Sequence, residues 1–317
     1  MISFLKLIRI KNLLIIAFTQ YMVRWCLIYP ILQSQSTYFK LQMSNVQFFF
    51  LVLSTVMIAA GGYIINDYFD VRIDRVNKPE HIVVGKSIKR RFAILSHTVI
   101  SVLALIIALV VAHSIGYWKL VFIHFVCGLG LWFYSTTFKR QFLIGNIAIA
   151  FFTAIVPLVV GIYELILCSK EYIPVDPTIN LLLIWKWVFG VAFFAFITTL
   201  LREILKDIED REGDMEYGCS TMPIVIGVPA AKAVVVVLTL ATMVCLAYIQ
   251  WLQSNIRDSV GFYYFTFMLQ LPLAFLVFMT FSAKTKKNFR SAGNTAKLIM
   301  LSGVCYLIVF TYNLLNN

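Results

Sequence analysis

Apolar runs long enough to cross a bilayer recur along the whole 317-residue chain, and they limit its possible folds more than any other property. A hydrocarbon core about 30 Å thick takes about 20 helical residues to cross, and backbone groups inside it must be satisfied within the segment itself. Nine such runs are read at roughly 13–33, 47–65, 92–113, 117–136, 142–166, 182–200, 233–252, 260–282 and 298–314. Only 13% of residues are charged, about half the usual load of a soluble domain, and no polar stretch is long enough to fold alone. The expectation is an all-α polytopic bundle of about nine transmembrane helices, with residues 1–317 forming one integral membrane domain.

A net charge of +12 raises the question of nucleic acid, but the placement of the charge answers otherwise. With the N-terminus inside, segments 1–12, 66–91, 137–141, 201–232 and 283–297 hold 21 of the 27 Lys and Arg residues. That asymmetry follows the positive-inside rule, so the N-terminus and these loops are expected in the cytoplasm, with the chain in the cell (inner) membrane. Part of the positive excess suits contact with anionic membrane lipid or phosphate. The stretch 282–297 reads as a basic loop that anchors topology. The six scattered cysteines read as small apolar fillers. The first run contains Arg24 and no small-residue cleavage site, so it is expected to remain as a membrane helix.

Acid is concentrated where the base already lies. Eleven of the fifteen Asp and Glu residues fall within 66–91 and 201–231. Within them stand two triplets of identical spacing, Asp67, Asp70, Asp74 and Asp207, Asp210, Asp214, offset by 140 residues. On a helix, positions i, i+3 and i+7 share one stripe, where like charges repel. Anionic lipid would add to that repulsion unless the carboxylates hold a cation. Asn77-Lys78-Pro79 should end the first acidic helix, because the residue before proline is pushed out of the helical region. Gly213, Gly218, Pro223 and Gly227 interrupt the second. Each triplet is thus expected at the cytoplasmic tip of a membrane helix, followed by a shorter connecting helix on the membrane surface.

Magnesium takes about six oxygen ligands and is usually held by one or two carboxylates together with substrate phosphate. Two triplets suit magnesium ions gripping a diphosphate from both sides, with Asp67, Asp70, Asp207 and Asp210 closest to the chemistry and Asp74 and Asp214 completing the set. Asn66 adds a neutral oxygen, and Arg72, Lys78, Lys139, Arg202 and Lys206 are near enough in sequence to hold remaining phosphate oxygens. Other polar residues have plainer readings. Glu164, His113 and His124 are expected at the outer interface, and Arg24 is expected to snorkel to outer headgroups. Gly61-Gly62 should allow close helix packing, and Arg202 and Glu203 are able to pair with each other.

These motifs resemble those of the UbiA-type intramembrane prenyltransferases. GGYIINDYFDVRIDRVNKP at 61–79 is similar to that family's first signature, and REILKDIEDREGDMEYGCSTMP at 202–223 to its second. The second is closest to the version in geranylgeranylglyceryl-phosphate geranylgeranyltransferases. YSTTFKRQFLIGN at 134–146 resembles the loop between the fourth and fifth spans, and Arg9 and Asn12 match an opening Arg-x-x-Asn. The resemblance implies a bundle around a central cavity open sideways to lipid, with magnesium at both aspartate motifs and Asn66. It also implies Lys139 on the diphosphate, and Asn12, Tyr134 and Asn146 in the same polar pocket. The implied reaction ionises a polyprenyl diphosphate, expected to be geranylgeranyl diphosphate, for capture by a lipophilic acceptor. The second motif favours geranylgeranylglyceryl phosphate; an aromatic quinone precursor is the alternative acceptor. A transporter or cation channel is a more distant alternative, disfavoured because the carboxylates gather at one face. The chain departs from the family pattern Asn-x-Pro-x-Arg-Pro at His81 and Ile82, which bears on the acceptor and not on the metal ligands.

Overall fold

The computed structural model describes residues 2–255 and 258–316. Nine helices among the described residues are long and apolar enough to cross a membrane: α1 Ile10–Gln35, α2 Asn45–Asn77, α3 Arg90–Ser114, α4 Trp118–Thr136, α5 Ile144–Tyr172, α6 Leu181–Glu216, α7 Gly227–Asn255, α8 Ser259–Ser282 and α9 Lys286–Leu315. A short helix, Ile2–Leu7, precedes them. All nine expected runs are present. Three extend well beyond the apolar stretch: α2 and α6 continue through their acidic triplets, and α9 begins 12 residues before the expected 298. The residues at 286–297, read from sequence as a loop, are therefore three turns of helix.

Local signals set the boundaries. Ser44 and Gln47 form a reciprocal capping box at the start of α2, with bonds of 3.1 and 2.9 Å. Lys78, ahead of Pro79, leaves the helical region at φ −149° and closes the same helix. The expected connecting helices are brief: one 3₁₀ turn at Pro79–His81 and one helical turn at Met222–Val225. In α1, Pro30 has no N–H to offer the carbonyl four residues back, and the helix widens to a π segment over Arg24–Ile28. The freed Cys26 carbonyl accepts from the Thr311 hydroxyl of α9 at 2.8 Å, joining the first and last membrane helices.

Packing divides the bundle into two apolar clusters. One joins α1, α2 and α5 with the N-terminal part of α6 around Leu27, Leu51, Tyr163 and Val188. The other joins the C-terminal part of α6 to α7, α8 and α9 around Leu201, Val235, Leu273 and Ala292. Trp187 and Phe310 touch both. α3 and α4 are peripheral, with 17% and 11% of their apolar windows buried, and carry exposed residues such as Val102, Ile106 and Phe125. In lipid, close approach replaces the hydrophobic effect as the packing rule. Gly61 obeys it: a Cβ there would lie 2.6 Å from Ser101 Oγ on α3.

Three interfacial expectations fail. Arg24 and Glu164 are 1% and 0% exposed and form an ion pair at 3.4 Å. Glu164 also accepts the backbone N–H groups of Gln42 and Met43, while Arg24 donates to the Met43 carbonyl and stacks over Phe48. The charges meet each other and the inward-folded 36–44 loop, so neither needs to snorkel. His124 is likewise buried, bonded to Ser54 Oγ at 3.1 Å, because its face of α4 turns towards α2. His113 is exposed as expected.

Candidate active site

The two acidic tips lie side by side. Asn77 Oδ1, at the end of α2, accepts the Gly213 N–H of α6 at 3.0 Å. The fit is close: a Cβ on Gly213 would fall 2.6 Å from the Asn77 side chain, so only glycine permits it. One residue further on, Lys78 crosses to α6 and bonds Asp210 at 2.9 Å, with Glu209 at 3.5 Å. Lys286 at the start of α9 donates to the Asn77 carbonyl at 2.9 Å. The triplets 140 residues apart thus share one end of the bundle, and Asp214 has Lys139, Asp210, Lys206 and Asp70 as its electrostatic neighbours.

Each carboxylate of the inner group meets a donor from another segment. Arg9 bonds Asp67 at 2.7 Å from a left-handed backbone conformation, φ 52°, at the kink between Ile2–Leu7 and α1. A non-glycine residue there carries strain of about 1–3 kcal/mol, which a persistent ion pair helps to offset. Burial would weaken the Arg9 charge, but Asp67, then Tyr63, outweigh it and hold the guanidinium above its ordinary pKa. Asp70 is buried and contacts the Lys139 ammonium and Asn66 Nδ2, the latter at 2.7 Å. Burial opposes the Lys139 charge too; Asp70 chiefly, with Tyr134 and Asp74, raises its pKa regardless. Lys139 can reach Asp70 because its turn lies directly on α5, where a Cβ on Gly145 would meet the Phe138 carbonyl at 2.8 Å. Next in that helix, Asn146 donates to Asp207 at 2.7 Å.

The tips adjoin a cavity of about 720 Å³, whose lining includes Arg9 and Asn66, the partners of Asp67 and Asp70; that volume is within the usual span of about 300–1,000 Å³ for small-molecule sites. Its mouth carries Arg9, Asn12, Asn66, Tyr134, Arg202 and Lys206. Deeper, the wall turns apolar, with Ile58, Leu131, Phe152, Phe194 and Leu269 among its residues. A charged entrance and a greasy interior suit a ligand of the same polarity.

Of the residues singled out from sequence, all but Arg72 belong to this region. Arg72 is exposed, two positions from Asp70 and so on another side of α2. Asn12 accepts from Lys297 Nζ at 2.5 Å, and Arg202 pairs with Glu203 as foreseen. Lys297 and Arg290, counted from sequence as part of a loop, also reach this end of the bundle; their spacing of seven on one helical face is the signal that was available.

No three metal-ligating side chains close on a single point among the described residues, so the chain does not build a cation cage unaided. The donor chemistry still fits magnesium. Six carboxylates face a shared end, and the buried Asn66 Oδ1, next to Asp67, has no hydrogen-bond partner. A small hard cation that also takes oxygens from a phosphorylated ligand needs few from the protein.

Residues 26–301 match the UbiA prenyltransferase family, and the chain belongs to it. It is an integral membrane prenyltransferase. Digeranylgeranylglyceryl phosphate synthase of Thermococcus gammatolerans is 29% identical over 83% of each chain. The Methanosphaera stadtmanae protein of the same name is 30% identical over 60% of this chain and 61% of its own. Among solved structures, a digeranylgeranylglyceryl phosphate synthase superposes with a TM-score of 0.63 at 20% identity over 98% of each chain. A UbiA homologue from Archaeoglobus fulgidus bound to GPP and Mg2+ does so with a TM-score of 0.57 at 17% identity, covering 97% of this chain and 99% of its own. At these identities the superpositions establish the fold.

Proposed function

We propose that this chain transfers a geranylgeranyl group from its diphosphate to the hydroxyl of geranylgeranylglyceryl phosphate, forming an ether lipid, in a magnesium-dependent reaction at the cytoplasmic face of the cell membrane. One observation carries the reading: two distant aspartate triplets are drawn together beside the polar end of a largely apolar cavity, which Arg9 and Asn66 connect to Asp67 and Asp70. The activity for which the relatives are named favours the glyceryl phosphate acceptor, and the Archaeoglobus homologue with GPP and Mg2+ supports an allylic diphosphate donor.

In this reading Asp67, Asp70, Asp74, Asp207, Asp210, Asp214 and Asn66 hold the metal. What magnesium supplies when bound is Lewis-acid neutralisation of charge gathering on the departing diphosphate. Lys139 and Arg9, kept cationic by their carboxylates, contribute fixed positive charge at the same place. The C1–O bond breaks and its electron pair leaves with the diphosphate. The acceptor hydroxyl oxygen then bonds to C1, and its proton passes to the liberated pyrophosphate. The apolar wall keeps water from the allylic cation, and Tyr63, Tyr134 and Phe152 offer π faces to it. Residues 1–317 act as one catalytic unit, because the cavity draws side chains from α1, α2, α4, α6 and α9.

Labelled geranylgeranyl diphosphate supplied to the purified protein with each acceptor in turn tests this. Ether product with the glyceryl phosphate, at least about a hundredfold lower in Asp67→Asn and Asp207→Asn, is expected. Product only with an aromatic quinone precursor would move the acceptor assignment. Unchanged diphosphate release in both variants would remove the aspartates from the chemistry.

A further inference from the structure

Beside the main cavity, α6 and α9 enclose a second, polar cavity of about 220 Å³. Its lining is Lys78, Arg202, Lys206, Glu209, Arg290, Gly293 and Asn294, four cations to one carboxylate. The residues come from matching helical stripes, 202 and 206 on α6 facing 290, 293 and 294 on α9. Arg202 and Lys206 line both cavities, so the two adjoin. It is less than a third of the larger volume, too small for an isoprenoid chain and wide enough for a small hydrated anion.

Lys78 is already committed to Asp210, and the other cations at the seam serve a different purpose from those at the aspartate tips. Arg9, Lys139 and Lys78 bond directly to Asp67, Asp70 and Asp210. Arg202, Lys206, Arg290 and Lys297 bond to none of the six aspartates among the described residues. Arg202 and Lys206 share Glu203 at 2.5 and 3.9 Å, and Arg290 bonds Glu209 at 2.9 Å with Glu80 and Asp210 further off. Lys297, one α9 turn beyond Asn294, donates to Asn12 and has the cations Arg202, Lys11 and Arg9 near it. Glu203 and Glu209 offset two of these four positive charges, and the excess is unfavourable in a partly dry site unless a further anion joins it.

We propose that the seam between α6 and α9 is a separate seat for a phosphate monoester, the head group of the acceptor, which keeps it apart from the donor diphosphate at the aspartate tips. This rests on the glyceryl phosphate reading given above. Arg202 and Lys206, shared by both cavities, place the head group within reach of the reaction mouth. A neutral acceptor of the same chain length gains nothing from the seat, so the seam selects phosphorylated acceptors.

The test uses the full chain in lipid-free detergent, with magnesium and inorganic pyrophosphate saturating the aspartate tips. Glycerol 1-phosphate binding is measured by calorimetry on the wild type, Arg290→Gln and Lys297→Gln. Binding weakened about tenfold or more in either variant is expected, the loss of one charge-assisted bond. In turnover, Arg290→Gln, at a residue that lines the smaller cavity and not the larger, should lose about tenfold in kcat/KM for geranylgeranylglyceryl phosphate. It should keep the KM for geranylgeranyl diphosphate, and the rate with unphosphorylated geranylgeranylglycerol, within about twofold. No glycerol 1-phosphate binding to the wild type overturns the seat, as does equal competition by phosphatidylglycerol, which would assign the seam to bulk lipid. Binding to the wild type that both variants retain also overturns it. Binding that depends on Arg290 and Lys297, in a protein that does not prenylate the glyceryl acceptor, keeps the seat and overturns the acceptor reading instead.

Discussion

At the scale of single residues, Lys139 is the most exacting position. It occupies a three-residue turn, pressed on α5 by the absence of a side chain at Gly145, and its ammonium is committed to Asp70. Lys139→Met should lower the transfer rate by at least about a hundredfold while the protein remains folded, as judged by single-turnover kinetics beside a thermal melt. The folded-state pKa of this lysine is raised, so its stabilising contribution is complete below the ordinary lysine value and is lost only as pH rises through the raised one. Any melting-point difference between Lys139→Met and the wild type should therefore be the same at pH 6 and pH 9. The spacing of the aspartates was readable from sequence because a divalent site needs several carboxylates on one face. The partners of those aspartates were less readable. Lys78 and Lys139 stood out by proximity to a motif, whereas Arg72 has the same credentials and points away, since two residues of helix carry it past the site.

At the scale of elements, the contact between the ends of α2 and α6 decides whether the triplets cooperate. Asn77 and Gly213 meet there without room for one more carbon atom. Gly213→Ala should push the tips apart and reduce magnesium-dependent activity by about tenfold or more. Adding Asn77→Ala removes the obstructing side chain, so the double variant should recover part of that loss; a strictly additive decline would refute the close-contact account. Hydropathy located the helices but truncated three of them for one reason. The charged ends of α2, α6 and α9 dilute an apolar window while leaving the helical period intact. At the start of α9 this concealed Arg290 and Lys297, whose common face becomes visible only once the segment is treated as a helix.

At the scale of the whole molecule, the half of the bundle remote from the acidic tips is secured by a device no local pattern announces. Arg24 and Glu164 are 140 positions apart, each isolated within an apolar run, and windowed averages absorb them. In the structure they clasp α1, α5 and the loop at 36–44. Removing one partner strands the other, so Arg24→Met should destabilise the protein by about 3–5 kcal/mol. Pairing it with Glu164→Gln should restore much of this, because the glutamine oxygen still accepts the Gln42 and Met43 amides. Thermal unfolding in detergent reads both outcomes, and turnover of the folded fraction should be unaffected, since neither residue lines the cavity. The joined tips of α2 and α6 share one end of the bundle, so the proposed reaction would take up its donor and release pyrophosphate on a single side of the bilayer. Scalar, not vectorial, catalysis is the expected consequence: no gradient should be consumed, and sealed vesicles should reveal activity only in copies whose tips face outward.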